Sequence, residues 1–206
     1  MTTRIVAISA GLSDASSTTL LARRYGEAIA QAEPGASFEV VALRDLAHDI
    51  TDAALVGFAS PRLQHVIDQV VAADALVVVT PTYKASYPGL FKSFFDVIDA
   101  EQLTGKPVAL AATGGTARHS LVIDFAMRPL FAYLQTMAVP TGVFASPHDW
   151  GTGESSTSAL GQRVERAVGE LLSITHGGGT GRTFDDSIDL FSETMLSISD
   201  PRPAQG

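Results

Sequence analysis

Ala75-Leu76-Val77-Val78-Val79-Thr80-Pro81-Thr82-Tyr83-Lys84-Ala85-Ser86-Tyr87-Pro88-Gly89 is the stretch on which the fold turns. Its first five residues are a continuous apolar run, the pattern of a strand buried on both faces. Leu90-Phe91-Lys92-Ser93-Phe94-Phe95-Asp96-Val97-Ile98 follows with helical spacing. A loop rich in Pro, Tyr and backbone N–H groups therefore sits at the carboxyl end of a parallel-type strand. In open α/β sheets that is where ligands bind.

The same alternation runs through the chain. Arg4 to Ser9 reads as a first strand and Leu20 to Ala32 as a helix, broken by Pro34-Gly35. Ser37 to Leu43 reads as a second strand, and Arg44 to Pro61 is irregular. Leu63, Val66, Ile67, Val70 and Val71 define an amphipathic helix. Val108 to Ala112 is a fourth strand, and a helix is predicted over about His119 to Met137, interrupted by Pro129. Thr141 to Ala145 is a fifth strand. Leu160, Val164, Ala167, Val168, Leu171 and Leu172 mark the last helix. This order predicts an α/β three-layer sandwich, flavodoxin-like, with a five-stranded parallel sheet of order 2-1-3-4-5. The alternative is a Rossmann dinucleotide domain, but no G-x-G-x-x-G follows the first strand and no P-loop occurs.

The 206 residues suit one domain, here residues 1–176, large enough to bury about 70% of the unfolded chain's surface. Residues 177–206 read as a glycine-rich linker and a tail. Phe184, Ile188, Leu190 and Phe191 suit docking of that tail on a neighbouring subunit. The chain has no cysteine, which excludes disulfides and thiol chemistry. A net charge of −8 argues against nucleic acid as a partner. No leader or long apolar run is seen, so the expectation is a cytoplasmic protein with no membrane segment.

Three loops follow strands one, three and four. The first, Ser9 to Thr19, carries Ser9, Ser13, Ser16, Ser17 and Thr18 into a helix start, where free N–H groups favour a phosphate. Serine and threonine are equally ordinary helix caps. In the second, Pro81, Thr82, Tyr83 and Lys84 present backbone donors and a positive charge to the edge of a flat ring; Tyr83 and Tyr87 packing on the core is the plainer reading. In the third, Thr113, Gly114 and Gly115 let a backbone approach a ligand closely, or simply make a turn. His119 joins the expected cofactor-binding residues, although a lone His at a helix start is more often a cap or surface residue than a catalytic one. No triad spacing and no H-x-x-x-H pair occurs, so neither catalytic side chains nor a metal site is expected. Trp150, the only tryptophan, reads as packing at a turn in preference to covering the crevice.

Thr80 to Lys92 resembles the T-P-x-Y-K-x-x-Y-x-G-x-x-K segment of NAD(P)H-dependent FMN reductases. Ala112-Thr113-Gly114-Gly115-Thr116, with His119 and Asp124 downstream, is similar to that family's A-T-G-G-T-x-x-H segment. The branch indicated is the alkanesulfonate type, which supplies reduced flavin to a separate monooxygenase. The resemblance spans about Arg4 to Ala145. It implies a flavodoxin-like fold, bound FMN, hydride from NADPH or NADH, and assembly into homodimers or homotetramers. It implies that Ser9, Ser16, Ser17 and Thr18 hold the phosphate, that Pro81, Thr82, Tyr83 and Lys84 meet the flavin edge, and that Thr113, Gly114 and Gly115 face the ring. Where many relatives have G-S-x-R, this chain has Gly11-Leu12-Ser13-Asp14. Some two-component relatives carry a Tyr in the fourth helix, associated with a π-bulge and flavin release; the matching residues here are Ile123-Asp124-Phe125-Ala126. Two alternatives share the fold: a flavin-retaining quinone or azo-dye reductase, and a non-enzymatic flavodoxin-like electron carrier. Finally, the predicted fourth helix is apolar on nearly every side, which predicts a subunit interface there.

Overall fold

The computed structural model describes residues 2–13, 16–150 and 158–177. The strands are β1 (Arg4–Ser9), β2 (Ser37–Ala42), β3 (Ala75–Pro81), β4 (Pro107–Thr113), β5 (Met137–Ala138) and β6 (Val143–Ala145). All pairings are parallel and the sheet order is 2-1-3-4-5, with β6 also pairing β4. The helices are α1 (Ser17–Ala32), α2 (Ala47–Val56), α3 (Pro61–Ala72), α4 (Gly89–Asp96), α5 (Arg128–Tyr133) and α6 (Ala159–Thr175). Helices α1 and α6 cover one face of the sheet, the other four the opposite face. The flavodoxin-like three-layer sandwich is thus the observed fold.

Every residue of β3 and β4 is buried. Val77 and Val79 join the core under α1 and α6, while Leu76 and Val78 join the core under the other layer. A strand covered on both faces has no polar side, which is why its sequence is an unbroken apolar run. Serines cap the starts of α1 and α3: the Ser16 hydroxyl accepts from the Thr18 N–H at 3.2 Å, and that of Ser60 from Leu63 at the same distance. Pro61 then occupies the first turn of α3, where its missing N–H costs nothing.

Three expectations are corrected. The stretch after β2 is not irregular: a 3-10 turn (Leu43–Leu46) leads into α2, which ends at Gly57 with φ of +84°. Only Ile50 and Ala53 of α2 are buried, whereas Leu55 and Val56 are exposed. That breaks the apolar periodicity by which a helix is read.

The second correction concerns the predicted helix over His119 to Met137. It resolves into a 3-10 turn (Ala117–His119), a π-helical turn (Ile123–Met127) and α5. Pro129 explains the break, because its ring would clash with the carbonyl four residues back and it has no N–H to donate. The wider turn takes up the conflict: the Arg128 N–H bonds the Ile123 carbonyl, five residues back. No inserted tyrosine is involved. The third correction is the fifth strand, which is two pieces. The Arg128 guanidinium donates to the carbonyls of Val139 and Pro140 at 3.1 and 2.6 Å, holding the gap between them. The expected tail from residue 178 onward lies outside the described residues.

Phe91, Phe95 and Phe131 form an aromatic knot between α4 and α5, with centroids 5.0 Å apart for Phe91–Phe95 and Phe95–Phe131. All three are buried. Phe95→Ala is expected to destabilise the fold by about 3–5 kcal/mol, measured as a lower urea midpoint at an unchanged slope.

Candidate functional site

The carboxyl ends of β1, β3, β4 and β6 are laced together. The Ala10 N–H donates to the Val79 carbonyl (2.9 Å), that of Thr82 to Thr113 (2.7 Å), and that of Gly114 to Ala145 (3.1 Å). The buried hydroxyls of Thr18 and Thr113 meet at 2.9 Å, tying the first turn of α1 to the tip of β4. Around this lacing lies a cavity of about 430 Å³. The first loop lines it with Ser13, Ser16, Ser17 and Thr18, the second with Pro81, Thr82 and Tyr83, and the third with Thr113, Gly114 and Gly115. Ala145, Pro147 and Trp150 complete the wall. A larger hollow of about 630 Å³ opens at the other end of the sheet, between β2 and α3. Polar groups there already pair with one another, Arg4 with the Ala72 carbonyl and Gln69 with Glu39. Convergent loops single out the smaller cavity.

Three expected site residues stand outside that lining. The Ser9 hydroxyl is buried and meets that of Thr19 at 3.0 Å. Lys84 and Ala85, with φ of +49° and +66°, form the tip of a tight turn closed by reciprocal Tyr83–Ser86 hydrogen bonds of 2.8 and 3.1 Å. That turn leaves Lys84 exposed. His119 packs beside Gly114, and its Nδ1 is buried with no partner among the described residues. A Cβ added at Gly114 would lie 2.8 Å from the Phe144 ring and 3.3 Å from His119, so glycine is required by close packing. Trp150 both packs on the α1/α6 core and lines the cavity. Ala145 and Pro147 were not expected in the lining, and for Trp150 the sequence favours packing. The only signal for them is their place at or after the end of the fifth strand.

The NADPH-dependent FMN reductase profile matches residues 3–151. The chain belongs to this family. An FMN reductase (NADPH) of Pseudomonas aeruginosa is 39% identical over 175 residues, 85% of this chain and 93% of that protein. The NADH-dependent FMN reductase SfnF of Pseudomonas putida is 36% identical over 165 residues, 80% of this chain and 89% of its own. The X-ray structure of an oxidoreductase from Corynebacterium diphtheriae superposes with a TM-score of 0.80 at 41% identity, covering 86% of this chain and 99% of that one.

The donor set of this family member suits a flat ring bearing a phosphate. The N-terminus of α1 has no acidic residue in its first turn, and Ser16, Ser17 and Thr18 at that terminus line the cavity. Gly11 makes room for the cap: a Cβ there would fall 2.0 Å from the Ser16 hydroxyl oxygen. Farther in, Thr82 lines the cavity and its buried hydroxyl has no partner among the described residues. An orphaned buried hydroxyl in a cavity wall is a place for a ligand's polar atom.

The wall after β6 is held by charge. Asp149 accepts from the Ser146 N–H (2.9 Å), the Ser146 hydroxyl (2.6 Å) and the Arg163 guanidinium (2.5 Å). Partial burial opposes ionisation of Asp149, but the Ser146 hydrogen bonds and the Arg163 charge outweigh it and hold the carboxyl below its ordinary range. A depressed carboxyl stabilises the fold above its unfolded value, and that stability is lost as pH falls through the folded value. Asp149→Asn should therefore cost about 1–2 kcal/mol at neutral pH. The gap between the two proteins should close below about pH 4, as read by thermal melts across pH.

Proposed function

We propose that this chain reduces FMN with hydride from NADPH or NADH, and that its flavin seats in the cavity at the strand tips. One observation carries the reading: a single cavity joins a serine-lined helix N-terminus to the threonine-bearing ends of two strands, one of them followed by a glycine pair. Bound flavin supplies the hydride-accepting chemistry. The protein's part is to bind, orient and exclude water. Ser13, Ser16, Ser17 and Thr18 take the phosphate with neutral donors. Pro81, Thr82 and Tyr83 meet the ring edge, and the Thr82 hydroxyl finds its partner there. Thr113, Gly114 and Gly115 face the ring. Ser9 supports the phosphate loop from beneath through Thr19. Lys84 and His119 act from the rim. No catalytic acid or base is required, because hydride passes between the two cofactors.

In this reading the reduced flavin goes to a separate flavin-dependent monooxygenase, and the enzyme works in the cytoplasm. Among the described residues no helix is long and apolar enough to cross a membrane. The active form is a homodimer or homotetramer. Leu121, Phe125 and Tyr133 stand out beside the π turn, with Phe125 77% exposed. A second copy covers them, and the tail from residue 177 docks on it.

The test is anaerobic titration of the apoprotein with FMN and each nicotinamide, following flavin bleaching. FMN should bind and bleach. NAD(P)H left unconsumed would make the chain an electron carrier; turnover on a tightly yellow protein without added FMN would make it a flavin-retaining reductase. Ser17→Asp should weaken FMN at least about tenfold by repulsion while leaving riboflavin unaffected, since acid at a helix start does not harm the helix. Light scattering at micromolar concentration should give a dimer or tetramer, and Phe125→Glu should shift it toward monomer.

A further inference from the structure

We infer that Trp150 is the end wall of the cavity at its phosphate end, and that it selects a flavin ending in one phosphate over one continuing into a second nucleotide. The inference rests on the flavin site proposed above. Trp150 lines the cavity together with the phosphate-side residues Ser16, Ser17 and Thr18. Its position along that side is fixed by Arg24, whose guanidinium carbon lies 5.2 Å from the indole centroid. Arg24 is seven residues beyond Ser17 on α1, which is about 10 Å along the helix axis. The indole thus lies along the α1 side of the cavity, between Arg24 and the Ser16–Thr18 lining.

Two anchors keep it there. Arg24 stacks on the ring as a cation on a π face. One residue earlier, Asp149 bonds Ser146 and Arg163 and so fixes the short 3-10 turn (Pro147–Trp150) that carries the indole. A rigid aromatic held at both the backbone and the ring is a wall rather than a flap. The space it bounds, about 430 Å³, is near the lower end of small-molecule sites, which run from roughly 300 to 1,000 Å³. That size suits a mononucleotide, and an indole at the phosphate end stands where a second nucleotide would have to pass. Arg24 itself is not part of the cavity lining, so its role is to hold the indole.

The experiment uses the full-length apoprotein and measures dissociation constants for riboflavin, FMN and FAD by flavin fluorescence. The parent should favour FMN over FAD at least about tenfold. Trp150→Ala should cut that preference about tenfold or more by improving FAD, with riboflavin, which stops short of the phosphate, little changed. Arg24→Met keeps the indole but frees it, and should move the ratio the same way by a smaller amount; it also carries the test if Trp150→Ala does not fold. An unchanged FAD-to-FMN ratio in both variants overturns the inference. So does equal weakening of all three flavins, which would make the indole a ring-stacking or purely structural residue. These results leave the FMN reductase reading standing. A parent that binds no flavin removes that reading and this inference together.

Discussion

Thr113 is where the site is held together. Its carbonyl accepts the Thr82 N–H and its hydroxyl meets that of Thr18, so one residue at the tip of β4 binds the loops after β1 and β3. Both contacts are buried, and a buried polar group left unpaired is costly. The loops are therefore held in one relative arrangement, by bonds that water cannot replace. Parallel strands in the order 2-1-3-4 bring these tips to the same edge, and the lacing converts nearness into a rigid rim. Without it the serine loop and the Pro81 loop would be two surface loops.

The far side of the rim depends on a different kind of bond. After the split fifth strand, charged groups do the holding: Arg163 and Asp149 behind Trp150, and Arg128 across the gap between β5 and β6. The split follows from local chemistry. Pro129 forces a π turn before α5, Pro140 interrupts the strand, and Arg128 supplies donors to the carbonyls freed there. Half-buried guanidinium groups bonded to carbonyls and carboxylates give fixed geometry because the fork of donors is planar.

Among the described residues the cavity lining carries no charged side chain: it is made of hydroxyls, glycines and apolar or aromatic side chains. That fits an enzyme whose reacting atoms belong to cofactors: the protein's contribution is position, and a titrating side chain near the ring is not required. In the reading proposed above, the net charge of −8 is no obstacle, since the anion would be met by N–H dipoles at a helix start rather than by the overall field.

How much of this was legible before the structure follows from the range of each interaction. Local periodicity showed the buried strands β1, β3 and β4 and the helices α1, α3, α4 and α6, because an apolar run or an amphipathic stripe is written in neighbouring residues. Two long motifs pointed to the family, and ten of the thirteen expected binding residues line one cavity. Helix α2 escaped because its exposed Leu55 and Val56 hide its period. For Trp150 the sequence left packing and covering the crevice as alternatives, and the structure shows both, with Arg24, more than a hundred residues away in the chain, beside the ring. Lys84 was read as facing the ring, yet two consecutive left-handed residues turn it outward. The amino-acid order alone determined the sheet, its loops and their donors. Only the tertiary structure decided which of them share a wall, since hydrogen bonds and ring contacts between distant segments leave no local pattern to read.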